Sequence, residues 1–158
     1  RAKGAPGRLA RVPNARGLHI FIDYAHTPDA LEKVSVALKA MGFDRLITVF
    51  GCGGDRDATK RPLMGQAVAR HADVAVITSD NPRTEDPEAI LDQIEPGLAG
   101  ARQVLREVDR RKAIALAVDG MRPGDALLIA GKGHEDYQII GTEKRHFSDF
   151  EVVRECLS

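Results

Sequence analysis

Between Val76 and Pro87 the chain reads VITSDNPRTEDP: an apolar run stops, and Asp80, Asn81 and Arg83 fall into one tight turn. Three other stretches have the same character: DYAHTPD from Asp23, GCGGDRDATKR from Gly51 and GKGHED from Gly131. Their glycines let backbone N–H groups come close to an anion. Arg56, Lys60, Arg61, Arg83 and Lys132 are cationic, whereas Asp55, Asp57, Asp80, Glu85 and Glu135 are anionic. A site for phosphate alone would favour cations, and a site for a hard metal ion alone would favour acids. Both signs together suit a ligand that carries both, such as an amino acid. An arginine fork takes a carboxylate through two parallel bonds, and a carboxylate takes an ammonium. Asn81 could bond either end. The competing explanation is that Asp80 and Arg83 pair with each other and only stabilise the turn.

The elements around these stretches set their place. LHIFI from Leu18, RLITVF from Arg45, DVAVITS from Asp73 and DALLIA from Asp125 read as buried strands, with RQVLREV from Arg102 a shorter candidate. The first helix starts at Thr27 as N-cap with Pro28 at its first position, and carries Leu31, Val34, Leu38 and Met41 at helical spacing. A second helix lies around PLMGQAVARHA. Asp86 and Pro87 open a third that Pro96 ends, and Asp109 caps a fourth carrying Ala113, Ile114, Ala117 and Val118. YQIIG and KRHF form a hairpin-like pair, and Ser148 to Glu151 is a capping box opening a last helix.

Strands alternating with helices imply βαβ crossovers: an α/β, Rossmann-like fold with a mostly parallel sheet and helices on both faces. The nearly continuous apolar strands agree, since a parallel sheet is buried on both sides. Ligands of such sheets bind beyond the carboxyl ends of the strands. All four unusual loops follow strands, whereas KAMGFD and DGMRPGD at the other edge are ordinary turn material.

Composition narrows the function classes. A chain of 158 residues suits one domain, and equal numbers of acidic and basic residues argue against nucleic acid or a membrane surface as the main partner. The two cysteines, Cys52 and Cys156, lie far apart and form no CxxC, which favours a reducing compartment without disulfides or structural zinc. Cys52 reads as a packing residue, and His19, His71 and His146 as structural or solvated. The GxGxxG dinucleotide fingerprint fails because Arg56 holds its third glycine position, and no GK[ST] phosphate loop is present. The start, RAKGAPGRLARVPNARG, lacks methionine and reads as a linker over residues 1–17 from a preceding domain of a longer protein, with residues 18–158 the folded unit.

The stretches GRL, DYAHTPDALEKV, FGCGGDRDATKRPLMG, SDNPRTEDP and GKGHEDYQI occur in that order. From about Gly7 to Phe150 the chain resembles the carboxy-terminal domain of Mur ligases, most of all those that add 2,6-diaminopimelate to UDP-N-acetylmuramoyl-L-alanyl-D-glutamate. The resemblance implies a cytoplasmic, bacterial, ATP- and Mg²⁺-dependent ligase of peptidoglycan precursor synthesis. The peptide carboxylate becomes an acyl phosphate, which the amine of the incoming amino acid attacks. Of three domains, the first grips UDP-MurNAc-dipeptide, the central one carries the phosphate loop and most of the ATP and Mg²⁺ site, and the third binds the amino acid. By motif, Arg56, Asp80, Asn81, Arg83, Gly131 and Glu135 would contact meso-diaminopimelate, while Arg8, Asp23, Tyr24 and His26 would face the nucleotide.

No metal ligand and no certain catalytic residue is assigned to this chain, which is expected to be a monomer and inactive as a ligase by itself. In the family, DNPR accompanies meso-diaminopimelate, and lysine-adding relatives lack this arginine. Thr59 stands where the family usually has glycine, and Ala10 where it usually has glutamate; both flank the implied contacts. The alternatives are another Mur-type ligase, such as a lysine-adding one, and a non-catalytic amino-acid-binding module.

Overall fold

The computed structural model describes residues 9–158. Eight strands and five α-helices follow in the order β1 (Ala10–Arg11), β2 (His19–Asp23), α1 (Pro28–Lys39), β3 (Arg45–Phe50), α2 (Arg61–His71), β4 (Val74–Ile77), α3 (Pro87–Ile94), β5 (Val104–Arg106), α4 (Arg110–Asp119), β6 (Asp125–Ala130), β7 (Tyr137–Ile140), β8 (Glu143–His146) and α5 (Asp149–Leu157). Six strands form one sheet in the order β1-β2-β6-β3-β4-β5, parallel except for β1. β7 and β8 form a separate antiparallel hairpin.

The alternation of side chains along each strand sorts the helices into two layers. Ala126, Leu128 and Ala130 of β6 pack with Leu31, Leu38, Met64, Val68, Leu91 and Ile94 from α1, α2 and α3. Leu127 and Ile129, pointing the other way, pack with Ala113, Ile114, Val118, Val152 and Val153 from α4 and α5. One strand therefore contributes to two cores, so every residue of β6 is buried. Right-handed crossovers carry the chain outward from β2 to β5 over one face, and only the opposite face is left for the return through α4. That return inserts β6 between β2 and β3. The carboxyl ends of β2, β6, β3 and β4 thus stand side by side.

The helix starts follow the local rules. Thr27 Oγ1 accepts from Ala30 N at 3.1 Å, Asp86 Oδ1 from Glu88 N at 3.0 Å, and Asp109 Oδ1 from Lys112 N at 3.2 Å. Three differences from the sequence reading have physical causes. Met41 lies past the end of α1 and is 54% exposed, because the helix has turned its apolar stripe away by then. The segment read as a linker supplies β1, and Val12 lies buried in the second core. At α5 the Ser148 hydroxyl accepts from Glu151 N as a cap should, but the Glu151 carboxylate meets His146 Nε2 at 2.8 Å. Among the described residues no helix is long and apolar enough to cross a membrane.

Candidate amino-acid site

The loops after β2, β3, β4 and β6 enclose a cavity of about 330 Å³. Arg56, Asp80, Asn81, Arg83, Gly131 and Glu135 all line it, together with Tyr24 and His26 at the α1 end. Arg8 lies outside the described residues. Asp23 does not reach the cavity wall: its carboxylate accepts from Leu9 N and, at 2.8 Å, from Ala25 N. It braces the loop that carries Tyr24 and His26. Tyr24 is 45% exposed and meets the His26 ring edge-on at 4.7 Å, while His26 Nδ1 donates to the Tyr24 carbonyl at 2.9 Å.

The wall is held by contacts between loops. Gly54 N donates to Asn81 O at 2.8 Å, and a Cβ at Gly54 would overlap the Pro82 carbonyl, so the two loops touch backbone to backbone. Asp55 N donates to Glu85 Oε1 at 2.9 Å, and the Thr84 hydroxyl donates to the Asp55 carboxylate at 2.9 and 3.0 Å. Arg61, only 1% exposed, spans both loops: it donates to both Glu85 oxygens at 2.5 and 2.8 Å, to Gly53 O at 3.0 Å and to Gln93 Oε1 at 2.8 Å. The Arg61 guanidinium, with the Asp55 N–H, holds the Glu85 carboxyl down at about 2. Glu85 is therefore consumed by the scaffold.

The hairpin forms a third support. Ile139 N donates to Asn81 Oδ1 at 2.9 Å, Gln138 Nε2 to Asp80 O at 2.6 Å, and Arg83 N to Ile139 O at 3.0 Å. Arg83 takes φ +55° in this bridge to the hairpin. Behind the loops Arg110 and Asp149 form a fully buried ion pair at 2.8 Å. The same guanidinium donates to Ser79 O at 3.0 Å and Ala130 O at 3.2 Å, the carbonyls just before Asp80 and Gly131.

Charge is divided across the cavity. Asp80 and Arg83 do not pair with each other. Arg83 Nη1 donates to Gly54 O at 3.0 Å and Asn81 O at 3.4 Å, and among the described residues neither Arg83 nor Arg56 has an acidic partner. Asp80 and Glu135 face Lys132 Nζ at 3.8 and 3.3 Å. Asn81 spends its carbonyl on Ile139 N and on Lys132 Nζ at 3.3 Å, so its amide nitrogen is what remains for a ligand. Burial pushes the Cys52 thiol up to about 12, with the Asp80 charge adding to it, so Cys52 stays protonated and packs. His71 and His146 each contact a glutamate away from the cavity. Among the described residues no cluster of three His, Cys, Asp or Glu side chains could hold a metal ion.

Lys132 and Arg61 were counted among the cations of the motif loops but not among the contacts assigned to a ligand, because spacing does not reveal that both are buried; Arg110 and Gln138 were not named as parts of the site. Arg110 and Gln138 carried no signal, since their partners lie 31 and 58 positions away.

Comparison with known proteins agrees with the sequence motifs and with the fold. The family model for the Mur ligase, glutamate ligase domain, matches residues 7–133. A UDP-N-acetylmuramoyl-L-alanyl-D-glutamate–2,6-diaminopimelate ligase of Lawsonia intracellularis is 60% identical over 154 residues, 98% of this chain and 32% of that protein. A ligase of the same name from Clostridioides difficile is 50% identical over 99% of this chain and 33% of its own length. A solved structure of a ligase of this name superposes with a TM-score of 0.89 at 45% identity, covering 99% of this chain and 32% of the other. A Mycobacterium tuberculosis folylpolyglutamate synthase, solved with ADP and AMPPCP, superposes with a TM-score of 0.63 at 28% identity, over 82% of this chain and 30% of the other. The chain thus spans about a third of the length of the curated relatives it matches. With the family model matched over most of the described fold, this chain belongs to the Mur ligase family.

Proposed function

We propose that this chain is the amino-acid-binding domain of an ATP-dependent ligase that adds meso-diaminopimelate to UDP-MurNAc-L-Ala-D-Glu in the bacterial cytoplasm. The observation that carries the reading is the division of charge in the cavity. Arg56 and Arg83, without acidic partners among the described residues, stand in one wall with Asp80 and Glu135. About 330 Å³ is the lower end of the range for small-molecule sites, about 300–1,000 Å³.

In this reading Arg83 takes the distal carboxylate of diaminopimelate through its guanidinium fork. Asp80 and Glu135 take the distal ammonium, and the Asn81 amide and the Gly131 backbone complete the contacts. An amine held as an ammonium between carboxylates is no nucleophile, so these acids must grip the centre that does not react. The other amine is left to point out of the cavity. Arg56 holds the carboxylate beside it. The work of the domain is orientation, which can supply about 7–11 kcal/mol to a reaction between two bound groups.

ATP supplies the phosphoryl group that activates the dipeptide carboxylate as an acyl phosphate. Tyr24 and His26, at the N-terminal end of α1, would face that nucleotide, where the helix favours an anion. Asp23 supports their loop. The resemblance to Mur ligases implies that Mg²⁺ would be held mainly by the central domain of the full-length protein.

The test is phosphate release by the full-length protein given UDP-MurNAc-dipeptide, Mg-ATP and either meso-diaminopimelate or L-lysine. Release with diaminopimelate alone is expected. Lysine lacks the distal carboxylate and would leave Arg83 unpaired, at a cost of about 1–3 kcal/mol. Release with lysine would transfer the reading to a lysine-adding ligase. Release with neither, alongside measurable ligand binding, would favour a non-catalytic module.

A further inference from the structure

Lys132 is buried to 0% exposure, yet its ammonium is directed at the site. Nζ lies 3.3 Å from Glu135 Oε1, 3.8 Å from Asp80 Oδ1 and 3.3 Å from Asn81 Oδ1, and 5.3 Å from the centre of the Tyr137 ring. These partners come from the β4 loop, the β6 loop and the first strand of the hairpin. A buried ammonium is costly unless it is paired. Here both carboxylates that pair it also line the ligand cavity.

We propose that Lys132 is a positioning residue for amino-acid recognition, acting through Asp80, Glu135 and Asn81. The argument rests on the function proposed above. Two carboxylates aimed at one ligand ammonium repel each other. The ammonium behind them offsets that repulsion and fixes the aim of both. With two negative charges and one positive, this part of the wall has a net charge of −1, equal and opposite to a single ligand ammonium. The bond to Asn81 Oδ1 also leaves the Asn81 amide nitrogen as the group turned to the ligand. Lys132 itself, at 0% exposure, has no surface on which to touch the ligand. A residue that only stabilised the fold would change melting and total activity without regard to which substrate was varied.

The experiment uses the full-length protein with Lys132→Met and Lys132→Gln. The glutamine keeps an N–H donor, one bond shorter than the lysine ammonium, but no charge. KM is measured separately for the amino acid and for ATP, with thermal melting alongside. Both variants are expected to raise the amino-acid KM at least tenfold and to leave the ATP KM within twofold. Should Lys132→Met not fold, the glutamine variant decides. An unchanged amino-acid KM, equal rises in both KM values, or failure of both variants to fold would overturn the proposal in favour of a purely structural lysine. The measurement is made with whichever amino acid the wild-type protein uses. A wild type that ignores diaminopimelate therefore refutes the substrate assignment without deciding the role of Lys132.

Discussion

Replacing Arg83 by glycine separates binding from folding. Arg83 has φ +55°, a left-handed conformation that costs a non-glycine residue about 1–2 kcal/mol. Glycine relieves that strain but adds about 0.5–1 kcal/mol of unfolded-chain entropy. It also removes the hydrogen bond to Gly54 O at 3.0 Å, worth about 0.5–1.5 kcal/mol net. The contact to Asn81 O at 3.4 Å adds little. The three terms leave a net change in stability between about −1.5 and +1 kcal/mol, or at most roughly 3–6 °C in Tm for a chain of this size. Binding does not share this cancellation. A hydrogen bond between an arginine and a carboxylate contributes about 1.5–3 kcal/mol, and about 1.4 kcal/mol is tenfold. Arg83→Gly is therefore expected to raise the KM for diaminopimelate about 10- to 150-fold in the full-length protein, by the conversion above, while the ATP KM stays within about twofold. Phosphate release with one substrate varied at a time reads both constants, and circular dichroism melting reads the fold. Equal rises in the two KM values would refute the role of Arg83 as substrate reader. A collapse in Tm with the ATP KM unchanged would refute the strain argument.

Three further outcomes are expected. Asp149→Asn leaves the Arg110 guanidinium buried without its anion, which costs about 3–5 kcal/mol, or roughly 6–20 °C in Tm; a change under about 2 °C would show that the pair is dispensable. Glu85 has its carboxyl held down at about 2 from an ordinary value of 4.5, so its stabilising effect is complete above pH 4.5 and fades as pH falls towards 2. The Tm gap between wild type and Glu85→Gln should accordingly be constant above pH 5 and shrink below pH 4.5, and a gap that widened in acid would contradict the Arg61–Glu85 assignment. Gly54→Ala would force the β3 loop away from the Pro82 carbonyl, with an expected loss of about 1–3 kcal/mol together with weaker amino-acid use; an unaffected protein in both assays would mean that the two loops need not touch.

Much of the molecule was legible because it rests on short-range rules. Thr27–Pro28, Asp86–Pro87 and Asp109 start helices where they stand in the chain, since a cap needs only a side-chain oxygen and an N–H two or three residues on. RLITVF and DALLIA have the same bounds in the sequence reading and in the sheet, because a strand buried on both faces must be apolar throughout. The six residues assigned to the amino acid line one cavity, because each followed a strand at the sheet's carboxyl edge. β1 was missed because two residues paired to β2 carry no periodicity of their own.

The sequence by itself determined the alternation of strands and helices, the edge where the cavity lies and the residue types placed there. Only the tertiary structure decided how those residues are spent. Asp23 and Glu85, similar in sequence to Asp80 and Glu135, are consumed by backbone N–H groups and by Arg61, whereas Asp80 and Glu135 line the cavity beside a buried lysine. Asp80 and Arg83, three positions apart, do not pair, because a left-handed Arg83 docked on the hairpin turns its guanidinium to the Gly54 carbonyl. The physical reason is the same in each case. A charge finds its partner by distance in space, and Arg110 finds Ser79, Ala130 and Asp149 across 31, 20 and 39 positions of chain.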